Sequence, residues 1–439
     1  MDRSRRRLLS QAALWACSAA ASPFITPIAY AAAPGENRLV VIILRGAMDG
    51  LDVIRPAGDP DYAALRPLLS QGAQPDLVGR WGLHPALDSL RPLWAAGEFG
   101  AVHAVSTPYR DRRSHFDGQD ILEAGTVGLL GEMRRDGWLN RMMQVLPGVS
   151  AHTAYAIGAE QMLILTGQAE VARWAPNARL NLSPAARRLM EVVTHDDPLF
   201  RAAAEEALGI VDSLEEEALM QGATMPANAM PSNTRAGDTM LSDTMPTGAM
   251  PEAADMDPNA NPAPAMLAPP ATPQTGGGMH LRLADFAASR LRGESRIASF
   301  SLGGWDTHGA QTTTMVRPLT ALAETILALK AGLGPHWERT AVLCMTEFGR
   351  TVRENGSGGT DHGTGGVMLY AGGAMRGGQV TGDWPGLRDL YADRDLLPTR
   401  DLRAHAGWVM RDMFGLSTAA IEDAVFPGLS LDGDPRLLR

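Results

Sequence analysis

Four short apolar runs recur along the chain, and each has the length of a β-strand. The first is RLVVIIL at residues 38–44, where β-branched and other apolar residues follow one another almost without interruption. A continuous run of this kind is typical of a strand buried on both faces of a parallel sheet. Comparable runs occupy residues 100–105, 296–302 and 340–345. Together they predict the central strands of one sheet.

Apolar residues recur at helical spacing between and after these runs. Helices are predicted at residues 86–96, 114–124, 197–219, 312–333 and 399–414. Strands that alternate with helices indicate an α/β domain with a mostly parallel sheet. Ligands of such sheets bind beyond the carboxyl ends of the strands, so a functional site is expected in the loops that follow the four runs.

The N-terminus has the pattern of an export signal. Three consecutive arginines at residues 5–7 precede a mostly apolar stretch, and small residues at 31–33 suit a signal peptidase. The paired arginines predict a twin-arginine signal peptide over residues 1–33 and a periplasmic or secreted mature protein. The apolar stretch is too short and interrupted for a stable membrane span. The alternative is a basic start to an alanine-rich core helix.

Composition changes abruptly between residues 221 and 278. This segment is rich in Met, Pro, Ala, Asn, Thr and Gly, and it holds no aromatic residue. Frequent prolines break helices, and little apolar surface is available for burial. We therefore predict a disordered insertion that interrupts a single folded domain over residues 34–439. A Met-rich acceptor for Cu(I) is the alternative, because thioethers are soft ligands.

The charge argues against a nucleic-acid-binding protein, and the cysteine content argues against a disulfide-stabilised one. The formal net charge is −10, and it becomes −13 when residues 1–31, with four Arg and one Asp, are removed. Such an acidic protein is a poor partner for nucleic acid. Cys17 lies in the predicted signal and Cys344 in the fourth apolar run. The mature chain therefore forms no internal disulfide, and Cys344 is predicted to be a buried structural thiol.

Metal-capable side chains follow the predicted strands. Asp306 and His308 come after the third run, Glu347 comes after the fourth, and Asp361 and His362 stand together in a glycine-rich loop. Carboxylate and imidazole ligands without thiolates suit a divalent Zn, Mn, Mg or Ca ion. We predict that these residues converge at the carboxyl edge of the sheet. Helix capping and turn formation are the alternative roles for the same residue types.

Five short motifs occupy residues 44–50, 113–117, 304–308, 346–350 and 360–363. As a set they resemble the motifs of a bacterial family of secreted proteins, the domain of unknown function 1501. The similarity covers nearly the whole mature chain except the insertion. It implies a three-layer α/β/α sandwich related to alkaline phosphatases and sulfatases, with metals bound at the strand ends.

The resemblance also implies roles for metal-binding residues. Asp306 and His308 resemble the first metal-binding segment of that superfamily at a shorter spacing, and His362 resembles its late histidine ligand. Glu347 stands at the second segment, where Phe348 replaces an expected histidine.

The chain departs from the superfamily after its first strand. A metal-binding aspartate is expected directly there, but this chain has Arg45-Gly46. Asp49, which follows slightly later, is the candidate for that ligand.

Three further residues are candidates for catalysis. Ser114 is closest to the expected nucleophile, although it equally suits a helix N-cap. His115 is a candidate ligand, base or packed side chain. Arg350 is a candidate clamp for phosphate or sulfate, and the alternative is an ion pair with a nearby carboxylate.

Two hypotheses about function follow. The first is an exported metal-dependent hydrolase of phosphate or sulfate esters, with a small-molecule or carbohydrate ester as substrate. The second is a non-catalytic secreted protein of the same fold that acts as a binding partner. The missing aspartate and Phe348 favour the second hypothesis, whereas the convergence of the five candidate ligands favours the first.

Overall fold

All four predicted apolar runs lie in one nine-stranded sheet, and three of them are neighbours in it. The computed structural model describes residues 35–110, 113–128, 136–149, 153–158, 162–174 and 278–439. The predicted signal peptide, the predicted helix at 197–219 and the predicted insertion up to residue 277 lie outside these ranges. Every described residue belongs to the same compact unit.

The strands of the described residues are short, and most belong to the large sheet. They are β1 (Arg38–Leu44), β2 (Ile54–Arg55), β3 (Gly82–Leu83), β4 (Phe99–Ser106), β5 (Ala154–Ile157), β6 (Ala172–Trp174), β7 (Ile297–Leu302), β8 (Thr340–Met345), β9 (Gly366–Ala371), β10 (Val380–Thr381) and β11 (Arg400–Asp401). The large sheet has the order β10-β4-β9-β8-β1-β7-β5-β6, and β11 also pairs with β4. Strand β9 runs antiparallel to β4 and β8, and the other pairings described in this sheet are parallel. Strands β2 and β3 form a separate antiparallel pair.

Helices cover both faces of the sheet. They are α1 (Gly50–Val53), α2 (Tyr62–Leu65), α3 (Arg91–Ala95), α4 (His115–Ala124), α5 (Trp138–Val145), α6 (Met279–Arg292), α7 (Gln311–Thr314), α8 (Val316–Leu333) and α9 (Leu402–Phe414). Short 3-10 turns span Pro85–Leu90, Leu163–Leu165 and Gly334–Arg339, and a π-helical turn spans Ala420–Val425.

Strand β1 explains how the two faces are filled. Its side chains alternate between the faces because successive residues of a strand point in opposite directions. Val40 and Ile42 pack with apolar residues of α6 and α8, whereas Val41 and Ile43 pack with residues of α5 and α9. A strand buried on both faces needs apolar residues at every position, which accounts for the uninterrupted run in the sequence.

The elements predicted from the apolar pattern are confirmed within the described residues, with small shifts at their ends. The four predicted strands correspond to β1, β4, β7 and β8, and the helices predicted at 114–124 and 399–414 correspond to α4 and α9. The helix predicted at 312–333 is divided between α7 and α8, and the one at 86–96 between a 3-10 turn and α3. Strand β9, which begins at Gly366, was not predicted.

The loops that carry the candidate residues share one edge of the sheet. Strand β1 lies between β7 and β8 and runs parallel to both, so the carboxyl ends of all three strands meet there. The loop after β1 approaches the loop after β7 closely. Gly46 has φ +120°, and a Cβ atom there would lie 2.6 Å from the backbone nitrogen of Asp306. Only glycine fits this position, because any side chain there would clash with the loop after β7.

One other sequence prediction concerns burial. Cys344 is fully buried in β8, and burial raises the pKa of its thiol, as expected for a structural cysteine. Among the described residues, none of the helices combines the length and hydropathy that a membrane crossing requires.

Candidate metal centre

His115 is the first residue of α4, and its ring faces the loops after β7 and β8. Ser114 forms the N-cap, with its hydroxyl oxygen 3.5 Å from the backbone nitrogen of Asp117. The His115 ring stacks on the buried ring of Phe348, with 5.3 Å between centroids. Its Nδ1 lies 2.8 Å from Glu347 Oε1. Its Nε2 is buried without a hydrogen-bond partner and lies 3.4 Å from Asp306 Oδ2.

Two further histidines turn the same ring nitrogen toward Asp306. His308 Nε2 lies 3.0 Å from Asp306 Oδ1, and His362 Nε2 lies 3.4 Å from that oxygen. The two Nε2 atoms are 3.0 Å apart. We call His115, Asp306, His308 and His362 the ligand group.

The opposite ring nitrogen of each histidine faces a hydrogen-bond acceptor. His115 Nδ1 faces Glu347, His308 Nδ1 lies 3.2 Å from Asp361 Oδ1, and His362 Nδ1 lies 2.7 Å from the carbonyl oxygen of Arg113. These acceptors require Nδ1 to carry the proton, which leaves a lone pair on each Nε2 in the neutral rings. Outer partners of this kind fix the tautomer and orientation of metal-binding histidines.

The donor set of the ligand group fits a divalent metal. Three imidazole lone pairs and a carboxylate face one another, an arrangement that repels itself unless a cation or proton lies between them. Ligand atoms of His115, Asp306 and His362 all lie within 4.8 Å of one another. Tetrahedral ligands at zinc bond lengths of 2.0–2.1 Å would be about 3.4 Å apart. The observed spacing is therefore compatible with one ion after small side-chain movements.

Charges around the ligand group also suit a divalent cation. Asp306, Glu347 and Asp361 are acidic, and Arg350 is the basic residue that contacts Asp306, with Nη2 2.5 Å from Oδ1. Partial burial works to raise the pKa of Asp306, but the hydrogen bond and charge of Arg350 hold it below its usual value. A second cation near three carboxylates and one guanidinium is electrostatically favourable.

The pKa shifts of the histidines differ with their surroundings. Burial, Arg350 and His115 lower the pKa of His362, which favours the neutral ring that binds metal. The hydrogen bond to Glu347 raises the pKa of His115. Burial opposes ionisation of Glu347, but the bond from His115 and other donors still lowers the pKa of that carboxyl. His115 and Glu347 therefore attract one another as an ion pair when His115 is protonated.

Glu347 and Asp361 face the Nδ1 atoms of His115 and His308, on the side of each ring that points away from Asp306. Glu347 is fully buried and accepts bonds from Gly46 N at 3.0 Å and from Gln119 Nε2 at 3.2 Å as well as facing His115. Asp361 is half-exposed and accepts a bond from Asn355 Nδ2 at 3.0 Å. Both residues are predicted ligands, and the alternative prediction for Asp361 is that it orients His362. The structure instead places Glu347 beside Nδ1 of His115 and Asp361 beside Nδ1 of His308.

Asp49, predicted as a ligand, is held by a different set of partners. Its carboxylate is buried and lies 2.7 Å from Arg66 Nη1 and 2.7 Å from Gln311 Nε2. Its other oxygen accepts a bond from Leu51 N and caps α1. Burial opposes ionisation of Asp49, but the charge and hydrogen bond of Arg66 lower the pKa of this carboxyl. The structure therefore does not bring Asp49 into the ligand group, because Arg66 and Gln311 occupy one carboxylate oxygen and the backbone nitrogen of Leu51 occupies the other.

Arg350 is buried by the loops that carry the ligands. Its donors bond to the carbonyl oxygens of Ala47 at 2.7 Å, Gly46 at 2.7 Å and Thr360 at 3.0 Å, in addition to Asp306. The residue is 1% exposed. These contacts correspond to the alternative of an ion pair with a nearby carboxylate, and they leave the guanidinium oriented away from solvent.

Two residues that support the ligand group are not among the sequence candidates. Arg113 adopts φ +50° and pairs with the buried Asp395, with Nη2 2.9 Å from Oδ2. This geometry directs its carbonyl toward His362. Gln119 connects Glu347 to Arg45, whose Nη1 lies 2.7 Å from Gln119 Oε1. Gln119 follows His115 by four residues, a helical spacing that could have suggested a shared face.

Comparisons with known proteins identify the family. A search of curated proteins found no significant match. The family model described as a protein of unknown function, DUF1501, matches residues 93–410. This range covers more than two thirds of the chain, and it includes the entire ligand group. The chain therefore belongs to the DUF1501 family.

Proposed function

We propose that this protein is a metal-dependent hydrolase of phosphate or sulfate esters that acts after export. The observation that carries the proposal is the convergence of three imidazole Nε2 atoms on the Asp306 carboxylate. The Nδ1 atom of each ring also faces a hydrogen-bond acceptor, which fixes the orientation of the ring. Such an arrangement supports binding of a single Zn, Mn, Mg or Ca ion, with the nitrogen-rich set favouring Zn over Mn, Mg or Ca.

Solvent access supports a catalytic role for this site. The side chains of Asp306 and His308 are each 47% exposed, whereas those of His115 and His362 are mostly buried. A ligand group with one open side leaves room for water and substrate, unlike a closed structural site. A bound divalent ion would polarise an ester oxygen and lower the pKa of a bound water.

The surrounding side chains favour water over serine as the nucleophile. Ser114 Oγ is directed to the backbone of Asp117 and caps α4. Arg350 is bonded to carbonyl oxygens and to Asp306, so it orients a ligand and does not reach a substrate anion. His308 is the most exposed imidazole of the ligand group.

The wider setting of the proposal comes from the sequence. Resemblance to alkaline phosphatases and sulfatases favours an ester of phosphoric or sulfuric acid, carried by a small molecule or a carbohydrate. The mostly parallel sheet with helices on both faces is compatible with that superfamily. The twin-arginine pattern of residues 1–33 favours a periplasmic or secreted enzyme.

A non-catalytic binding protein is the second candidate, and two contacts favour it. The ion pair between Arg350 and Asp306 neutralises the carboxylate without any metal. The Phe348 ring packs beside both His115 and His362, with 5.3 Å between centroids in each case. It therefore places an apolar wall next to the ligand group and removes space for a second ion.

Metal analysis and an ester panel test the two candidates together. Exported wild-type protein should contain one tightly bound divalent ion and should cleave p-nitrophenyl phosphate or sulfate in a chelator-sensitive manner. Asp306→Asn keeps the shape of the side chain but removes its charge, so both properties should be lost. Asp61→Asn is the matched control, because Asp61 forms a surface ion pair with Arg388.

The outcomes distinguish the candidates clearly. Bound metal without turnover of any ester in the panel would favour the binding protein. Wild-type protein that takes up none of Zn, Mn, Mg or Ca would overturn the proposed metal-dependent hydrolase.

A further inference from the structure

A buried glutamine contacts both loops that supply His308 and His362 to the ligand group. Gln311, the first residue of α7, is fully buried. Its side-chain oxygen accepts bonds from Thr307 Oγ1 at 2.9 Å and from Thr360 Oγ1 at 2.8 Å. Thr307 is adjacent to His308, and Thr360 precedes His362 by two residues. One amide oxygen therefore joins the two loops.

The nitrogen end of the same amide is bonded to two carboxylates. Gln311 Nε2 lies 2.7 Å from Asp49 Oδ2 and 3.0 Å from Asp52 Oδ2. All the hydrogen-bonding positions of the amide are thereby used, two as donor and two as acceptor. The carboxylates fix the nitrogen end and the hydroxyls fix the oxygen end, so the side chain has one orientation.

Asp49 is in turn fixed by a fully buried arginine. Arg66 donates to Asp49 Oδ2 at 2.7 Å, to the carbonyl oxygen of Val352 at 2.8 Å and to that of Thr351 at 2.7 Å. Both members of this ion pair are at most 1% exposed. Buried and fully bonded polar networks specify one arrangement of the surrounding chain. Gln311 thus connects this buried ion pair to the two loops that carry His308 and His362.

We infer that Gln311 is a positioning residue, which holds the loops of His308 and His362 so that both Nε2 atoms can reach one metal ion. Their Nε2 atoms are 3.0 Å apart, although each lies on a separate loop. The inference rests on the metal site of the proposed function, but it does not require that the protein cleave esters. Gln311 does not itself contact the ligand group; it acts through Thr307 and Thr360.

Metal affinity of matched variants tests this role. Gln311→Met keeps the length of the side chain and removes its hydrogen bonds. Zn²⁺ affinity, measured by competition with a chromophoric chelator, should fall about 10- to 100-fold, as for other residues that orient ligands from outside the coordination sphere. The visible absorption of the Co²⁺-loaded protein should also change, because that spectrum reports ligand geometry.

Two further variants separate positioning from general stability. Ser299→Ala removes another buried hydrogen bond, from Ser299 Oγ to the carbonyl oxygen of Val41 within the sheet. It should leave Zn²⁺ affinity within about twofold of wild type even if it lowers the melting temperature. If Gln311→Met does not fold, Thr307→Val tests the same bond network, and Thr307→Ser should restore the affinity that Thr307→Val loses.

The possible results are distinct. Folded Gln311→Met, or Thr307→Val in its place, with wild-type Zn²⁺ affinity and an unchanged Co²⁺ spectrum would overturn the positioning role alone. Wild-type protein that binds Zn²⁺ but cleaves no ester would remove the hydrolase and leave this inference intact. Wild-type protein that binds neither Zn²⁺ nor Co²⁺ would overturn both.

Discussion

Histidines of the ligand group and histidines of the core differ in what their ring nitrogens face. In the ligand group, Nδ1 of His362 faces a carbonyl oxygen while Nε2 faces Asp306 and His308. In the core, Nε2 of His103 faces the carbonyl oxygen of Ile54, and its Nδ1 accepts a bond from Ala104 N. The backbone therefore satisfies both nitrogens of His103, whereas His362 keeps one for a ligand.

The two environments also act differently on charge. Burial lowers the pKa of His103 and of His405 to about 3, and His103 stacks on Trp81 with 4.8 Å between centroids. Acidic groups surround the ligand group instead. Burial alone thus does not identify a functional histidine. The informative features are a nitrogen left unbonded by the backbone and an acceptor that fixes the opposite nitrogen.

Substitution of one histidine from each region should separate metal affinity from stability. These two substitutions should give the largest effects that we expect. His362→Ala should weaken Zn²⁺ binding by at least about 1,000-fold, which corresponds to about 4 kcal/mol, with little change in the stability of metal-free protein. His103→Ala should lower the free energy of unfolding by about 2–4 kcal/mol because it leaves a cavity beside Trp81. Its Zn²⁺ affinity should remain that of wild type, as measured by chelator competition.

Equal losses of Zn²⁺ affinity in both variants would contradict the distinction between the two regions. Chemical denaturation of each variant in the presence of EDTA provides the control, because it reports stability without any contribution from bound metal.

Acidic pH should destabilise the core through its neutral histidines. The folded pKa of His103 and His405 is about 3, and the value in an unfolded chain is about 6.5. Between these values the unfolded chain binds more protons, so stability is fully present above pH 6.5 and falls as pH decreases toward 3. Each of the two histidines should lower the free energy of unfolding by about 2 kcal/mol when the pH falls from 7 to 5.

Urea denaturation in EDTA at pH 7 and pH 5 measures this loss. His405→Leu should abolish about half of the pH dependence, since its ring is buried and neither nitrogen has a hydrogen-bond partner. A variant with the full wild-type pH dependence would show that other groups dominate the acid response.

Smaller effects are expected from the acceptors behind the ligand group. Glu347→Gln removes a fully buried charge beside His115 and should weaken Zn²⁺ binding about 10- to 100-fold. Asp361→Asn should have a smaller effect, about threefold, because Asp361 is half-exposed and solvent screens its charge. Isothermal titration with Zn²⁺ gives both values. The reverse ranking would indicate that His308, not His115, is the better-fixed ligand.

The fold could be predicted from the sequence where a single property, such as burial on both faces, determined the secondary structure. Strand β1 is buried on both faces, so its apolar run is continuous and its assignment was unambiguous. Strand β9 was missed because two glycines precede Val367 and the preceding loop is polar, features that suggest a turn. Its antiparallel pairing with β4 and β8 depends on residues more than 20 positions away, which local patterns do not encode.

The site was predicted in part for a similar reason. Loop position after a strand indicated Asp306 and His308, because parallel strands bring their carboxyl ends together, whereas His362 was indicated by its glycine-rich loop. The contact between His115 and Glu347 was not predictable. It depends on the stacking of His115 on Phe348, and these two residues are 233 positions apart in the sequence. Asp49 was assigned to the metal because its partner Arg66 could not be recognised from the sequence, although it lies only 17 residues later.

Anomalous diffraction from crystals grown with Zn²⁺ tests the central claim most directly. The account predicts one strong zinc peak about 2.0–2.2 Å from the Nε2 atoms of His115 and His362 and from a carboxylate oxygen of Asp306. His308 Nε2 should complete the coordination or lie beside an open position for water. The contradictory result is protein saturated with Zn²⁺ whose anomalous peaks lie elsewhere while the ligand group keeps the Arg350–Asp306 ion pair alone.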